Sequence, residues 1–219
     1  SAFSGVFDGN GHRIENLKIN ESVTSGSTGY FGLFGYNVGT IQDLKLEAIN
    51  ITIDGAGTGY IGGLVGYSTG SINQVQVSGT VKGTSYVGGI AGVAEGSLTM
   101  VSNSADLTGT PLNGFGRVGG IVGLSKGTIN YSYNVGKISG KDDVGGITGN
   151  NDGSSSIVRN SFNAGNITAT ANAGGIAGVQ PAGLVENCYN VGMVSGGTQI
   201  GQLIGYFLNS GSTLRNSYF

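Results

Sequence analysis

Gly119-Gly120-Ile121-Val122-Gly123 decides the reading of this chain, because the same signature returns in phase along its length. Gly-Gly-Ile/Leu-x-Gly stands also at Gly62-Gly63-Leu64-Val65-Gly66, Gly88-Gly89-Ile90-Ala91-Gly92, Gly145-Gly146-Ile147-Thr148-Gly149 and Gly174-Gly175-Ile176-Ala177-Gly178. Looser copies are Phe31-Gly32-Leu33-Phe34-Gly35 and Gly201-Gln202-Leu203-Ile204-Gly205, and Ser4-Gly5-Val6-Phe7-Asp8 reads as a degenerate first copy. With starts at Gly5, Gly32, Gly62, Gly88, Gly119, Gly145, Gly174 and Gly201, the mean spacing is 28 residues. A fixed period of this length is the mark of a repeat architecture.

Each repeat holds up to three short apolar pieces. The Gly-Gly-Ile piece comes first. The second begins at Ile14, Ile41, Ile72, Leu98, Ile129, Ile157, Leu184 and Leu214, and the third carries Val81, Leu107, Ile138, Ile167 and Val194. Turn signals separate them, such as Lys126-Gly127 and Asn134-Val135-Gly136, since Gly, Asn and Asp accept positive φ. Short pieces rich in Val, Ile, Tyr and Phe are strands, not helices. Three strands per 28 residues are too few for a propeller blade. They predict an all-β chain: a right-handed parallel β-helix, or β-solenoid, of about eight coils. Residues 1–219 form one repeat domain, and both ends read as cut from a longer protein. Stacked coils sit about 4.8 Å apart, so eight give a rod on the order of 38 Å. Leu33, Leu64, Ile90, Ile121, Ile147, Ile176 and Leu203 then become one internal apolar ladder, with the paired glycines at a tight corner.

Composition excludes other classes. The 219 residues include 45 Gly but only 2 Pro, 1 Cys, 1 His and no Trp. Collagen requires Gly at every third position and much Pro. A disulfide framework requires paired cysteines. Helices lose about 1 kcal/mol per Gly. The net charge of −2 leaves no basic footprint for nucleic acid. No apolar run of membrane-spanning length is present.

The recurring Gly-Gly-Leu-Val-Gly, followed by a turn and Ile, resembles the GLUG repeat of bacterial surface proteins. The opening Phe7-Asp8-Gly9-Asn10-Gly11-His12-Arg13-Ile14-Glu15-Asn16-Leu17 resembles the segment that often precedes such repeats. GLUG repeats occur in large secreted or wall-attached proteins, among them adhesin-like proteins and immunoglobulin-A-cleaving metallopeptidases. The resemblance implies an extracellular or cell-surface setting and a structural or binding role. It carries no catalytic residues.

The residues themselves offer little for catalysis. His12, the single imidazole, lies in a Gly-Asn-Gly-His turn, and His-Glu-x-x-His is absent. The acids do not cluster at equivalent positions of adjacent coils. Asp142-Asp143, the one adjacent pair, reads as a solvated loop, with a calcium or sugar contact as the other reading. Asp8-Gly9-Asn10-Gly11 reads as a turn, lacking the Glu that would close a calcium loop. Cys188 shares a small-residue slot with Ser132, Ser161 and Ser217, so it is expected to be buried and inert. No metal or other cofactor is expected.

Two repeated columns remain. Tyr133, Phe162, Tyr189 and Tyr218 share one position, which Lys18, Lys45 and Gln76 fill in earlier repeats. Alternation points this column outward. It is the candidate ligand-binding stripe, for sugar rings or a partner protein, against the alternative of a packed ladder covering backbone. Asn134, Asn163 and Asn190 form the second column, expected to be a structural hydrogen-bonded stack. Loops at Glu21–Gly29, Asp54–Gly59 and Gly109–Gly116 vary most and are further places for binding. The expected function is a non-catalytic adhesin, stalk or binding module. An accessory spacer or recruiting region of a secreted peptidase or polysaccharide-processing enzyme is the alternative. Expected partners are a host protein or a glycan, together with flanking domains of the same chain.

Overall fold

The computed structural model describes residues 1–111, 116–208 and 211–219. The regular elements among them are all strands, and their pairings run parallel, coil onto coil. The chain is a β-solenoid, as its repeat predicts.

Each turn of the chain visits three sheets in the same order. In a middle coil, Tyr86–Gly88 lies in a first short sheet and Ala91–Ala94 in a second. Ser97–Thr99, Ser102–Asn103 and Asp106–Gly109 then run in line along a long sheet. Both short sheets have seven strands. The Gly-Gly-Ile signature is therefore a corner. Its first Gly ends one short strand, and the residue after Ile begins the next. The second and third pieces share the long sheet.

The glycines are there because backbone comes too close for a side chain. A Cβ on Gly120 would overlap the carbonyl oxygen of Gly146 in the next coil and stand 2.6 Å from Cβ and Cγ of Asn134 across the interior. Gly89, Gly146 and Gly175 press in the same way on Asn103, Asn163 and Asn190.

Core side chains stack in columns. Leu64, Ile90, Ile121, Ile147 and Ile176 are fully buried, Leu203 nearly so, and Leu33 packs against them partly buried. Their backbones are joined coil to coil, as from Ile121 N to Ile147 O at 2.9 Å. The third-piece column also stands in register: Val81, Leu107, Ile138, Ile167, Val194.

The second-piece column needs three corrections. Ile157 pairs with Thr128 and Leu184 with Ile157, so Val158 and Val185 hold the inner position of Ile129. The longer turns before these strands shift the phase, and a one-residue slip turns a side chain to the other face. Ile14 pairs with Leu46, and Phe7 is the residue that pairs with Ile41. Val6–Asp8 thus belongs to the long sheet, and the Gly5 segment is not a corner copy. The long sheet has an extra row at its start, beyond the seven rows of the short sheets.

The long sheet bends at a position, recurring from its second row onward, that the sequence did not announce. Asp43, Gln74, Met100, Tyr131, Asn160, Asn187 and Asn216 stand at equivalent positions, the first two inside the continuous strands Thr40–Asp54 and Ser71–Gly83 and the others just after a strand end, and all have φ of 44° to 53°. Asn tolerates this left-handed region, whereas Met100 and Tyr131 carry a cost of about 1–2 kcal/mol.

Gly120→Val is expected to destabilise the rod by about 3 kcal/mol or more, because the added carbons meet backbone. Urea unfolding reads this directly, and an unchanged midpoint would contradict the close-corner account.

Candidate functional site

The aromatic column lies on the long sheet. Tyr133 pairs with Phe162, Phe162 with Tyr189, and an isolated bridge joins Tyr189 to Tyr218. The column points outward: Tyr133 is 37% exposed, Tyr189 44% and Tyr218 69%. Its earlier members are Arg13, Lys45, Gln76 and Ser102. Lys18 is not among them, since it pairs with Asn50 in the third piece.

The rings stack on one another. Centroids of Tyr133 and Phe162 are 5.0 Å apart at 7° between planes, and those of Phe162 and Tyr189 4.9 Å apart at 4°. Such a row spends its faces internally and presents edges to the outside. A sugar ring or flat side chain needs an open face. The Tyr133 face opposite Phe162 looks toward Ser102, whose small side chain leaves room. A groove of about 460 Å³ opens there, lined by Lys45, Glu47, Gln76, Ser102, Tyr133 and Val135 among others. This geometry combines an aromatic wall, one cation, one anion and amide and hydroxyl groups.

Beneath the rings, Asn103, Asn134, Asn163 and Asn190 fix the coils in register. Each Nδ2 donates to the next Oδ1 at 2.8 Å. Asn163 is completely satisfied: its Nδ2 also donates to Gly165 O at 2.8 Å, and its Oδ1 also accepts from Gly165 N at 3.2 Å. Such a stack forfeits little by being buried, because every donor has an acceptor. The sequence column omitted Asn103, which succeeds Leu46 and Val77 on the same row. Asn103-Ser104-Ala105 lacks the Gly that marks the other copies.

The remaining sequence candidates separate clearly. His12 sits exposed in a turn closed by His12 N donating to Gly9 O at 2.8 Å. Asp8 Oδ1 caps the same turn from Asn10 N at 2.8 Å, and that bond holds the carboxyl below its usual pKa. Asp142 lies in the bend before a strand, half-buried, but Asp143 is not in a solvated loop. Asp143 is 7% exposed within the strand Asp143–Gly145, where it pairs with Arg117. Asp142 Oδ2 accepts from Gly116 N at 2.8 Å. Residues 112–115 of the adjoining loop lie outside the described residues.

Sequence reasoning missed a second aromatic set. Tyr30, Tyr60 and Tyr86 stack along the first short sheet, and Tyr36 and Tyr67 along the second. The two rows meet edge to face, with Tyr60 and Tyr67 centroids 5.6 Å apart. The signal was present: Tyr stands two residues before Gly32, Gly62 and Gly88, and directly after Gly35 and Gly66. Tyr67 donates to Glu95 at 2.6 Å, and Lys126 joins the same oxygen at 3.1 Å. The Tyr67 bond, with help from Lys126, lowers the Glu95 pKa, while burial first and Glu95 second raise that of Tyr67.

Three comparisons bear on this geometry. No protein-family model matches the chain, so the GLUG resemblance rests on the quoted residues. Halomucin of Haloquadratum walsbyi is 42% identical over 80 residues, 36% of this chain. The matched stretch is 1% of that protein's length. A crystal structure from Bacteroides ovatus, described as a proposed immunoglobulin A1 protease, superimposes with a TM-score of 0.67 at 22% identity. The likeness covers 97% of this chain and 68% of that one, and at this identity it speaks for the fold alone.

Cys188 is 1% exposed, and its thiol donates to Glu186 O at 3.2 Å. Burial pushes its pKa up to about 11. The folded chain keeps this proton where the unfolded chain loses it. The stabilisation is therefore whole below the unfolded thiol's pKa, roughly 8.5, and disappears as pH rises toward 11. Cys188→Ser should flatten that part of the stability–pH curve, and native Cys188 should resist thiol reagents. Rapid labelling of the folded chain would show the slot to be open.

Proposed function

We propose that this chain is a non-catalytic, rigid binding and spacer module of a bacterial cell-surface or secreted protein. The observation that carries the reading is the unbroken parallel stack, with the groove beside Tyr133 opening on its side. A stack of coils joined by backbone ladders resists bending and offers proteases few loops. The GLUG resemblance and the likeness to halomucin support an extracellular setting. Tyr133, Phe162, Tyr189 and Tyr218 form the outward row, and its open end at Tyr133 is the point where a sugar ring or a partner's flat side chain stacks. Phe162 stacks on Tyr133 and holds it in place, and Tyr189 backs Phe162.

In a glycan-binding assay with immobilised neutral oligosaccharides, Tyr133→Ala should weaken retention roughly tenfold, the size of one lost stacking contact. Tyr189→Ala should leave it nearly intact. Equal losses from both variants would sink the open-end account.

The fold likeness to the Bacteroides ovatus protein favours one second reading, an accessory arm of a secreted peptidase. Removal of this rod from the full-length protein should then raise KM for a protein substrate and leave kcat unchanged. Absence of any peptidase activity in the full-length protein would remove this reading.

A further inference from the structure

The two short sheets fold back at the Gly-Gly corners and leave a crease along the outside of the rod. Over the first coils this crease is filled by the chain's own phenol rings. Further on, the same columns change character. The first-sheet column runs Tyr30, Tyr60, Tyr86, Arg117, Asp143, Asn172. The second-sheet column runs Tyr36, Tyr67, Val93, Leu124, Asn150, Val179, Tyr206. Where the tyrosines end, the crease opens into a cavity of about 330 Å³.

We propose that this cavity is a binding site for one neutral hexose unit, separate from the groove at Tyr133. Arg117, Asp143 and Asn172 stand on one side, and Asn150 with the apolar Val179, Tyr206 and Leu208 complete the lining. The wall is pre-oriented. Arg117 lies over the Tyr86 ring at 5.3 Å and donates to its hydroxyl at 3.0 Å. Asn172 Nδ2 donates to Asp143 Oδ1 at 2.8 Å. The wall is also incomplete. Arg117 Nε stands 3.5 Å from Asp143 Oδ2, within ion-pair range but making no hydrogen bond. Asn150 is 4% exposed, and its Oδ1 has no partner.

Asn150 is the informative residue. Its column neighbours are Leu124 and Val179, so an apolar side chain fits the same place. A buried amide oxygen without a partner costs about 1–3 kcal/mol. The fold does not require it, in contrast to the fully bonded Asn column of the long sheet. The charges select the guest. Arg117 opposes a cation and Asp143 an anion, so the balanced pair suits a neutral group. A sugar's vicinal hydroxyls both donate and accept, and they match a guanidinium, a carboxylate and an amide together. Its C–H face suits Val179 and the ring of Tyr206. The volume is at the lower end of ligand pockets, about 300–1,000 Å³.

Saturation-transfer NMR on the full chain carrying Tyr133→Ala, which removes the stacking face of the other groove, tests this, with glucose, galactose, mannose and N-acetylglucosamine as neutral probes and glucuronate as the charged one. At least one neutral sugar should give signal, and glucuronate should give less. Asn150→Leu should weaken binding roughly tenfold or more and leave the Tm equal or higher. Asp143→Asn, in the same background, should also weaken it. Silence from every neutral sugar with folded protein would overturn the proposal. So would a signal in the Tyr133→Ala background that survives Asn150→Leu, or a lower Tm for Asn150→Leu.

Discussion

The contact on which the rest depends is the press of the second corner glycine against the row across the interior. Gly89, Gly120, Gly146 and Gly175 each meet the Asn of their own coil, with no room for a Cβ. That closeness makes the interior thin at this corner. A thin interior cannot hide an unpaired amide, so the Asn side chains must bond along the rod axis instead. They do so at 2.8 Å per step, which also sets the vertical register of the coils. Glycine at the corner and asparagine on the row are therefore two halves of one constraint. In the earlier coil, Gly63 meets Val77 of an apolar row instead.

Stacking at strand spacing has a second consequence. Each side chain lies directly over its equivalent, so like charges would repel at every step. Several charges are arranged between coils as opposites: Arg13 with Glu47, Lys82 with Asp54, Arg117 with Asp143, Lys126 with Glu95. Where like charges do stack, at Arg13 over Lys45 and Glu15 over Glu47, Arg13 reaches both glutamates. The exposed pairs among these, all but Arg117 with Asp143, each contribute about 0–1 kcal/mol. Their role is to permit charge on a laddered surface. The 10% charged content follows from the same geometry.

Aromatic rows obey the rule as well, and it changes what they can do. A ring in the middle of a row is covered on both faces by its neighbours. Open cavities arise where a column is interrupted: at Ser102 below Tyr133, and where Arg117, Asp143 and Asn150 replace tyrosine and leucine. Periodicity builds the rod, and departures from it make its cavities.

Much of this was legible without coordinates. The phase of Gly-Gly-Ile-x-Gly determined a parallel solenoid, its period, the Ile90–Ile121–Ile147 ladder, the outward Tyr133–Phe162–Tyr189 row and the buried slot of Cys188. These follow from local periodicity, which a linear pattern carries in full. The sequence erred where turn lengths changed. Ile157 looked inward by type, yet the longer turn before it placed Val158 inside. It also missed the left-handed bends at Met100 and Tyr131, since neither residue type signals positive φ. Asp143 looked like a solvated loop residue because its partner, Arg117, is 26 positions away. Only the fold could bring the first short sheet against the second, join the tyrosines of both across one crease, and leave a cavity where they stop. Distances between columns are set by how coils close on themselves, and no single repeat contains that closure.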